Sequence, residues 1–316
     1  MTRPRDTLPR LVVTAGDPAG VGPEAAVSLL AHDELLSQVG VAIVGDAAQL
    51  RELAGAHADR VEFVDVPAPD VERGVISAAS GRAAVAALKA AVKLVHSAPN
   101  QALVTGPISK VGLALAGFPW LGQTEALAAV TGVPDLHVLL VGDRLRVLHV
   151  TAHRSLRDAI EGVSVESVYR ALEASVEAMR SFGILSPRIG VAGLNPHAGE
   201  EGLLGTEERE FIKPAVDAAH RAGIDAHGPF SGDMIFGPEA SAGFDVIVAM
   251  YHDQGHIPVK LEAGDRTVAM SIGLPFIRTS ADHGAAPNIV GTGELRVTSL
   301  TRAAWIAAEC LRLERT

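Results

Sequence analysis

The chain has 316 residues, 48% of them hydrophobic and 20% charged, and a formal net charge of −10. That length suffices for one large α/β unit or two lobes with separate cores, and the acidic balance, with no basic block or aromatic ladder to offset it, excludes nonspecific nucleic-acid binding. Cys310 is the single cysteine, which rules out an internal disulfide and fits a reducing compartment, by default the cytoplasm.

The N-terminal MTRPRDTLPR is charged and lacks an apolar signal core, and no run approaches the roughly 18 apolar residues of a membrane span. A soluble protein with no membrane partner is expected. The first strand is RLVVTAG, and the loop after it, GDPAGVGPE, opens a helix with Pro23 and Glu24 suited to its first turn. Gly20, Gly22 and Ala25 satisfy a permissive GxGxx(G/A) dinucleotide pattern, and Asp46, closing the second strand VGVAIVGD, stands where a ribose-binding acid would sit. Glycines that merely permit a sharp crossover read equally well there, because DPA lengthens the loop.

VEFVDV and ALVTGP are the next strands, with a helical segment at 77–97 between them. HVLLVG and RVLHVTAH form a hairpin turning at Gly142 and Asp143, so the sheet is mixed. Helical spacing follows at 164–183, strand RIGVAGLNPH, helical spacing at 206–223, strand FDVIVAMYHD and a terminal helix at 299–315. Alternating short β-branched runs and longer amphipathic segments give the α/β class.

His153, His197 and His252 each end one of these strands and begin a polar loop. Open α/β sheets bind ligands along that edge, and three neutral imidazoles suit Zn²⁺ or a similar ion with a position left open. One histidine at a strand end is ordinarily a hydrogen-bonded loop residue; three in the same kind of position bring metal ligation level with that reading. His256 stays open between a second ligand, an acid/base group and a loop residue. The loop SADHGAAPNIVGTGE is small enough in its side chains for backbone amides to approach a nucleotide, as many surface loops are.

Taken together, GDPAGVGPE, VTGPISK, GLNPHAGEEGLLGTEE, YHDQGHIPVKL and GLPFIRTSADHGAAPNIVGTG resemble the PdxA family, the 4-hydroxythreonine-4-phosphate dehydrogenases and their relatives, over residues 11–296. HGAAPNIVGTG is also similar to the coenzyme loop of isopropylmalate and isocitrate dehydrogenases. The resemblance implies their two-lobed α/β/α fold in place of a Rossmann domain, with the active site in a cleft between lobes. It divides the chain into 1–125 with 284–316, on the coenzyme side, and 126–283, on the metal, substrate and dimer side.

The activity so implied is oxidation of a 3-hydroxy acid by NAD or NADP, followed by loss of CO₂ from the keto acid. A divalent metal (Zn, Mg, Mn or Co) on His153, His197 and His252 would lower the cost of both alkoxide and enolate. By the same resemblance Lys260 and Asp233 take catalytic roles, Gln123, Thr124, Lys260 and Arg278 contact an anionic substrate, and His283, Gly284, Ala286 and Asn288 lie on the coenzyme loop. A homodimer sharing its active sites is also implied.

Two positions depart from the family pattern. Gln123 replaces a histidine, and Ala269 replaces an asparagine that binds the phosphorylated substrate; loss of one charge-assisted contact costs about 1.5 to 3 kcal/mol. A 4-phosphorylated hydroxy acid remains the leading substrate, on the strength of Arg278. The first alternative is the cis-dihydrodiol of terephthalate, whose dehydrogenases share the segment around AMSIG. Further alternatives are a catalytically silent relative that binds a small anion, and a metal-dependent hydrolase, which leaves the coenzyme-type loop unexplained.

Overall fold

In the computed structural model, which describes residues 8–120, 122–281 and 283–314, the chain forms two units, Met1–Leu136 with Leu274–Thr316 and His137–Gly273. The charged stretch at residues 1–7, where a signal core was sought, lies outside the described residues. The strands are β1 (Arg10–Thr14), β2 (Gly40–Gly45), β3 (Glu62–Asp65), β4 (Gln101–Thr105), β5 (His137–Val141), β6 (Arg146–His149), β7 (Ile189–Ala192), β8 (Ala226–Phe230), β9 (Val246–Ala249), β10 (Val268–Ile272) and β11 (Arg278–Ala281). Among the described residues, no helix is long and apolar enough to cross a membrane.

In the first unit the order is β3-β2-β1-β4-β11, all parallel. Its central strands are buried on both faces, which is why RLVVT and QALVT read as nearly unbroken apolar runs. The helix Ala78–Val95 starts at a capping box between Ser77 and Ser80, which satisfies amides that the first turn leaves without partners. Its buried stripe, including Ala87, Leu88, Ala91 and Val95, packs against Val12, Val44 and Leu103 of the sheet.

The glycine loop after β1 packs backbone against backbone. A Cβ on Gly20 would stand 2.3 Å from the Ala285 carbonyl oxygen, and one on Gly22 would stand 2.0 Å from that of Ala15. These glycines are therefore needed for close packing of the chain on itself. Asp46 is the N-cap of the helix Ala47–Ala54, accepting from the amides of Gln49 (2.9 Å) and Ala68 (2.8 Å). Asp46→Ala is expected to cost about 1 kcal/mol of stability, read by urea denaturation, and to leave any preference between NAD and NADP unchanged.

In the second unit the order is β10-β5-β6-β9-β7-β8. β5 pairs antiparallel with β6 and with β10, the remaining pairs are parallel, and the Gly142 amide closes the hairpin on the Leu145 carbonyl at 2.8 Å. The expected α/β fold with a mixed sheet is thus present. The helix Val165–Ser181 repeats the capping-box device at Ser164 and Ser167, and buries Val168, Leu172, Ser175 and Met179.

Residues 206–223, read as one helix, instead begin with a π turn, Glu208–Ile212, followed by the helix Lys213–Arg221. Pro214 supplies the reason, since its missing amide interrupts the regular ladder. β8, β10 and β11 were not anticipated as strands.

Candidate active site

Strands β6, β9 and β7 are parallel neighbours, so the chain leaves all three at one edge of the sheet, where open α/β sheets place ligands. His153, His252 and His197 follow the strand ends at His149, Ala249 and Ala192. The ring centroids of His153 and His252 are 5.8 Å apart, near the ~5.3 Å of two imidazoles on one tetrahedral ion with bonds of about 2.1 Å. Nδ1 of His252 lies 2.6 Å from the Asp253 carboxylate, which keeps the proton on Nδ1 and the lone pair on Nε2, as metal-ligating histidines require. The donor chemistry of this edge fits a divalent ion.

His197 is not drawn into one tight group with the other two. Among the described residues, the trio of His, Cys, Asp or Glu whose ligand atoms all lie within 4.8 Å of one another is His220, Asp225 and His227. His252 also departs from expectation in its local structure: it begins the helix His252–Ala263 and not a loop. Pro258 inside that helix masked the pattern, because proline normally ends a helical reading.

Behind His252 runs a line of buried imidazoles. Its ring stacks on His256 at 3.5 Å, and Nδ1 of His256 lies 3.1 Å from Nε2 of His149 and 3.0 Å from the His252 carbonyl. His149 in turn places Nδ1 3.2 Å from the Val138 carbonyl. A carbonyl only accepts, so His149 carries its proton on Nδ1 and receives the His256 Nδ1–H at Nε2. The packing is tight: a Cβ on Gly255 would stand 2.4 Å from His149 Nε2. His256 is therefore a buried partner of the array and not a loop residue.

Burial, reinforced by His256, pulls the His149 pKa from 6.5 down to about 3. Below 6.5 the unfolded chain takes up a proton that the folded chain refuses, so stability falls progressively as pH drops toward 3 and is insensitive to His149 above 7. The loss between pH 7 and pH 4 is expected to be roughly 3 kcal/mol. Denaturant midpoints measured against pH should show an acid limb that His149→Asn flattens, and parallel curves for the two proteins would sink the assignment.

The loop carrying His197 is held by carboxylates. Residues 197–201 all have positive φ, with His197 at 54°, Ala198 at 52° and Glu201 at 56°, a left-handed turn that L-residues adopt only under constraint. Buried Glu208, from the π turn, supplies the constraint by accepting from the amides of Leu194 (2.7 Å) and Asn195 (2.6 Å). Gln254 ties two of the loops together: its Oε1 accepts from the Met250 amide (2.7 Å) and its Nε2 donates to the Gly193 carbonyl (2.6 Å). Asp233, on the short helix Gly232–Ile235, accepts from the Ser231 hydroxyl, which holds its carboxyl below the usual range. Lys260 is exposed, two turns along the helix from His252.

In the first unit, Arg278 opens β11 and is 3% exposed. Its Nη2 donates to Gln123 Oε1 (2.6 Å) and Thr105 Oγ1 (2.7 Å), while the Thr105 hydroxyl and the Gly106 carbonyl hold Gln123 from either side at 3.0 and 2.6 Å. Gln123 thus orients the arginine. Burial lowers the Arg278 pKa to about 9, leaving it protonated at neutral pH. Thr124 is half-buried in the first turn of the helix Gln123–Thr131. Ala269, in the second unit, packs against an apolar cluster that includes Leu140, Val147 and Val259.

The expected coenzyme loop folds over the glycine loop of the same unit, with the Val21 amide donating to the Ala285 carbonyl at 2.9 Å. Ala286 is left-handed (φ 41°), Asn288 is exposed, and open space surrounds the position of a Cβ on Gly284. Nε2 of His283 is buried without a hydrogen-bond partner among the described residues. A buried ring nitrogen without a partner is a polar group that a ligand such as a coenzyme could satisfy.

Sequence reasoning passed over Thr105, His149, Glu208 and Asp17. Asp17 is buried and accepts from the Ala19 amide (3.0 Å) and the Ser80 hydroxyl (3.3 Å), yet burial holds its carboxyl above the usual range. Each of these four lies inside or beside a motif already singled out, which was the available signal.

The sequence profile of the family described as pyridoxal phosphate biosynthetic protein PdxA matches residues 14–307. The chain is 39% identical to a D-threonate 4-phosphate dehydrogenase of Cupriavidus necator over 325 residues, covering 96% of this chain and 98% of that one. It is 40% identical to a 4-hydroxythreonine-4-phosphate dehydrogenase of Beijerinckia indica over 315 residues, covering 93% and 92%. Among solved structures, a 4-hydroxythreonine-4-phosphate dehydrogenase from Klebsiella pneumoniae superposes with a TM-score of 0.85 at 35% identity, covering 96% of this chain and 99% of that one.

Proposed function

Because the chain belongs to the PdxA family, we propose that it is a metal- and NAD(P)-dependent dehydrogenase that oxidises a 4-phosphorylated 3-hydroxy acid and releases CO₂ from the keto acid. The general class, an oxidoreductase acting on a CH–OH group, follows from the family and its named dehydrogenases. The observation that supports the finer reading is the pair His153 and His252, with ring centroids 5.8 Å apart, after strands β6 and β9, whose parallel neighbour β7 precedes the loop of His197.

A divalent ion held there would act as a Lewis acid toward the developing alkoxide and enolate, with the nicotinamide as hydride acceptor. The chain's own residues bind, orient and move protons. Asp253 fixes the His252 tautomer, and Gln254 and Glu208 hold the loops in place. Arg278, oriented by Gln123 and Thr105, receives the phosphate through charge-assisted hydrogen bonds. Lys260 and Asp233 serve as the acid/base pair: the hydroxyl proton leaves on oxidation, and a proton is returned to the enolate carbon after CO₂ departs.

A homodimer is part of the proposal. The exposed Leu185, Leu203, Met234 and Leu261, all in the second unit, support it.

The test is NAD(P)H formation by metal-loaded protein from 4-phospho-D-threonate, 4-phospho-D-erythronate and 4-phosphohydroxy-L-threonine, beside the cis-dihydrodiol of terephthalate. Turnover of one or more phosphorylated acids is the expected result; turnover of the dihydrodiol alone would reassign the pocket to an unphosphorylated carboxylate. Sedimentation of the same sample as a monomer would remove the dimer.

A further inference from the structure

At the opposite edge of the second unit's sheet, where β8 begins, three side chains of metal-binding type converge. His220 stands in the last turn of the helix Lys213–Arg221, and Asp225 and His227 lie at the amino end of β8. His227 Nε2 is 2.7 Å from Asp225 Oδ1, and the His220 and His227 ring centroids are 5.9 Å apart at 71°. One ligand atom from each residue lies within 4.8 Å of the other two. Two atoms bound to one tetrahedral zinc ion sit about 3.4 Å apart, so closure on an ion needs side-chain shifts of about an ångström, and His220 and Asp225 are exposed enough to make them.

The backbone beneath is already ordered. The Asp225 carbonyl accepts from the Ile189 amide at 2.8 Å, His227 pairs with Gly190 in the sheet, and the turn at Gly223 (φ 83°) returns the helix end to the strand. Ligands on a helix and a strand keep their spacing better than ligands on a loop. His220 also lies in the last turn of its helix, where the negative end of the macrodipole favours positive charge.

We propose that His220, Asp225 and His227 form a second divalent-cation site, distinct from the histidines at the other sheet edge and taking a zinc-class ion with water in its remaining positions. Two imidazoles and one carboxylate suit Zn²⁺, Co²⁺ or Ni²⁺ and are a poor match for Ca²⁺ or Mg²⁺, which prefer oxygen shells. A bound ion clamps the helix Lys213–Arg221 to the edge strand β8 and so stabilises the folded chain.

The experiment is equilibrium dialysis of the full-length protein against micromolar Zn²⁺, with the metal counted per chain, for wild type, His220→Ala and Asp225→Asn. Wild type is expected to retain one equivalent more than either variant, however many ions bind elsewhere, so the result is independent of the proposed activity. Titration should show affinity for that equivalent falling by at least about 100-fold in the variants, and Zn²⁺ should raise the Tm of wild type more than that of His220→Ala. Alanine at an exposed helical position keeps the fold, so equal stoichiometry and equal thermal shifts in wild type and His220→Ala would overturn the proposal.

Discussion

His252→Ala is expected to lower NAD(P)H formation by at least about a thousand-fold, because a Lewis acid at the reacting oxygen contributes several kcal/mol to the transition state. His252 is the member of the histidine set with the most defined preparation. The Asp253 carboxylate orients it, the flat face of His256 backs it at 3.5 Å, and His149 backs His256. Removing the ring deletes a proposed metal ligand while Gln254 still anchors the helix start through Met250 and Gly193. The variant should therefore keep its circular dichroism and retain one equivalent of metal fewer than wild type on dialysis. A chelator should reproduce the loss in wild type, with recovery on adding Zn²⁺, Mn²⁺, Co²⁺ or Mg²⁺. Full activity in a folded, metal-depleted His252→Ala protein would end the metal-dependent reading.

Arg278→Met should reduce kcat/KM for the phosphorylated substrate by roughly 100- to 1,000-fold, the equivalent of about 3 to 4 kcal/mol of lost phosphate recognition. Methionine fills a similar volume, and replacing a buried cation by an apolar side chain is commonly neutral for stability. The Thr105 hydroxyl still donates to Gln123 Oε1 at 3.0 Å, so that acceptor keeps a partner. The readout separating recognition from folding is an unphosphorylated analogue, for which wild type and variant should differ far less. Equal losses on both substrates would mean that Arg278 supports the fold and does not bind phosphate. Arg278→Lys should recover little, since an ammonium cannot reproduce the guanidinium's fork against Thr105, Gln123 and a phosphate.

Much of this architecture was legible from periodicity. Apart from the edge strand β3, the strands that sequence identified are largely buried or sit beside an obvious turn, and the four helical segments carry capping serines or apolar stripes. Two of the three strands that escaped notice lacked a local signature. AHGPF in β8 contains no β-branched residue, and RTSA in β11 is polar yet wholly buried, a state fixed by its pairing with β4 across a long sequence gap.

The same distinction holds at the site. His153, His197 and His252 were visible because each follows an apolar run, whereas His149 was read as part of a strand and His256 stayed ambiguous. Only the fold reveals that Gly255 leaves room for the His149 ring. Gln123 was noted as a departure from a family pattern; its hydrogen bond to Arg278 depends on a contact between residues 155 apart in sequence.

The left-handed run at 197–201 sets an unusual rule for which sequences this surface accepts. His197, Glu200 and Glu201 are exposed, and exposed positions normally drift freely under mutation. Here the backbone imposes the filter, since each L-residue in that conformation costs about 1 to 2 kcal/mol and a branched Cβ costs more. In a saturation library, Ala198, Glu200 and Glu201 should accept glycine and asparagine and reject valine, isoleucine and threonine, the profile of a tight turn and not of solvent-facing chain.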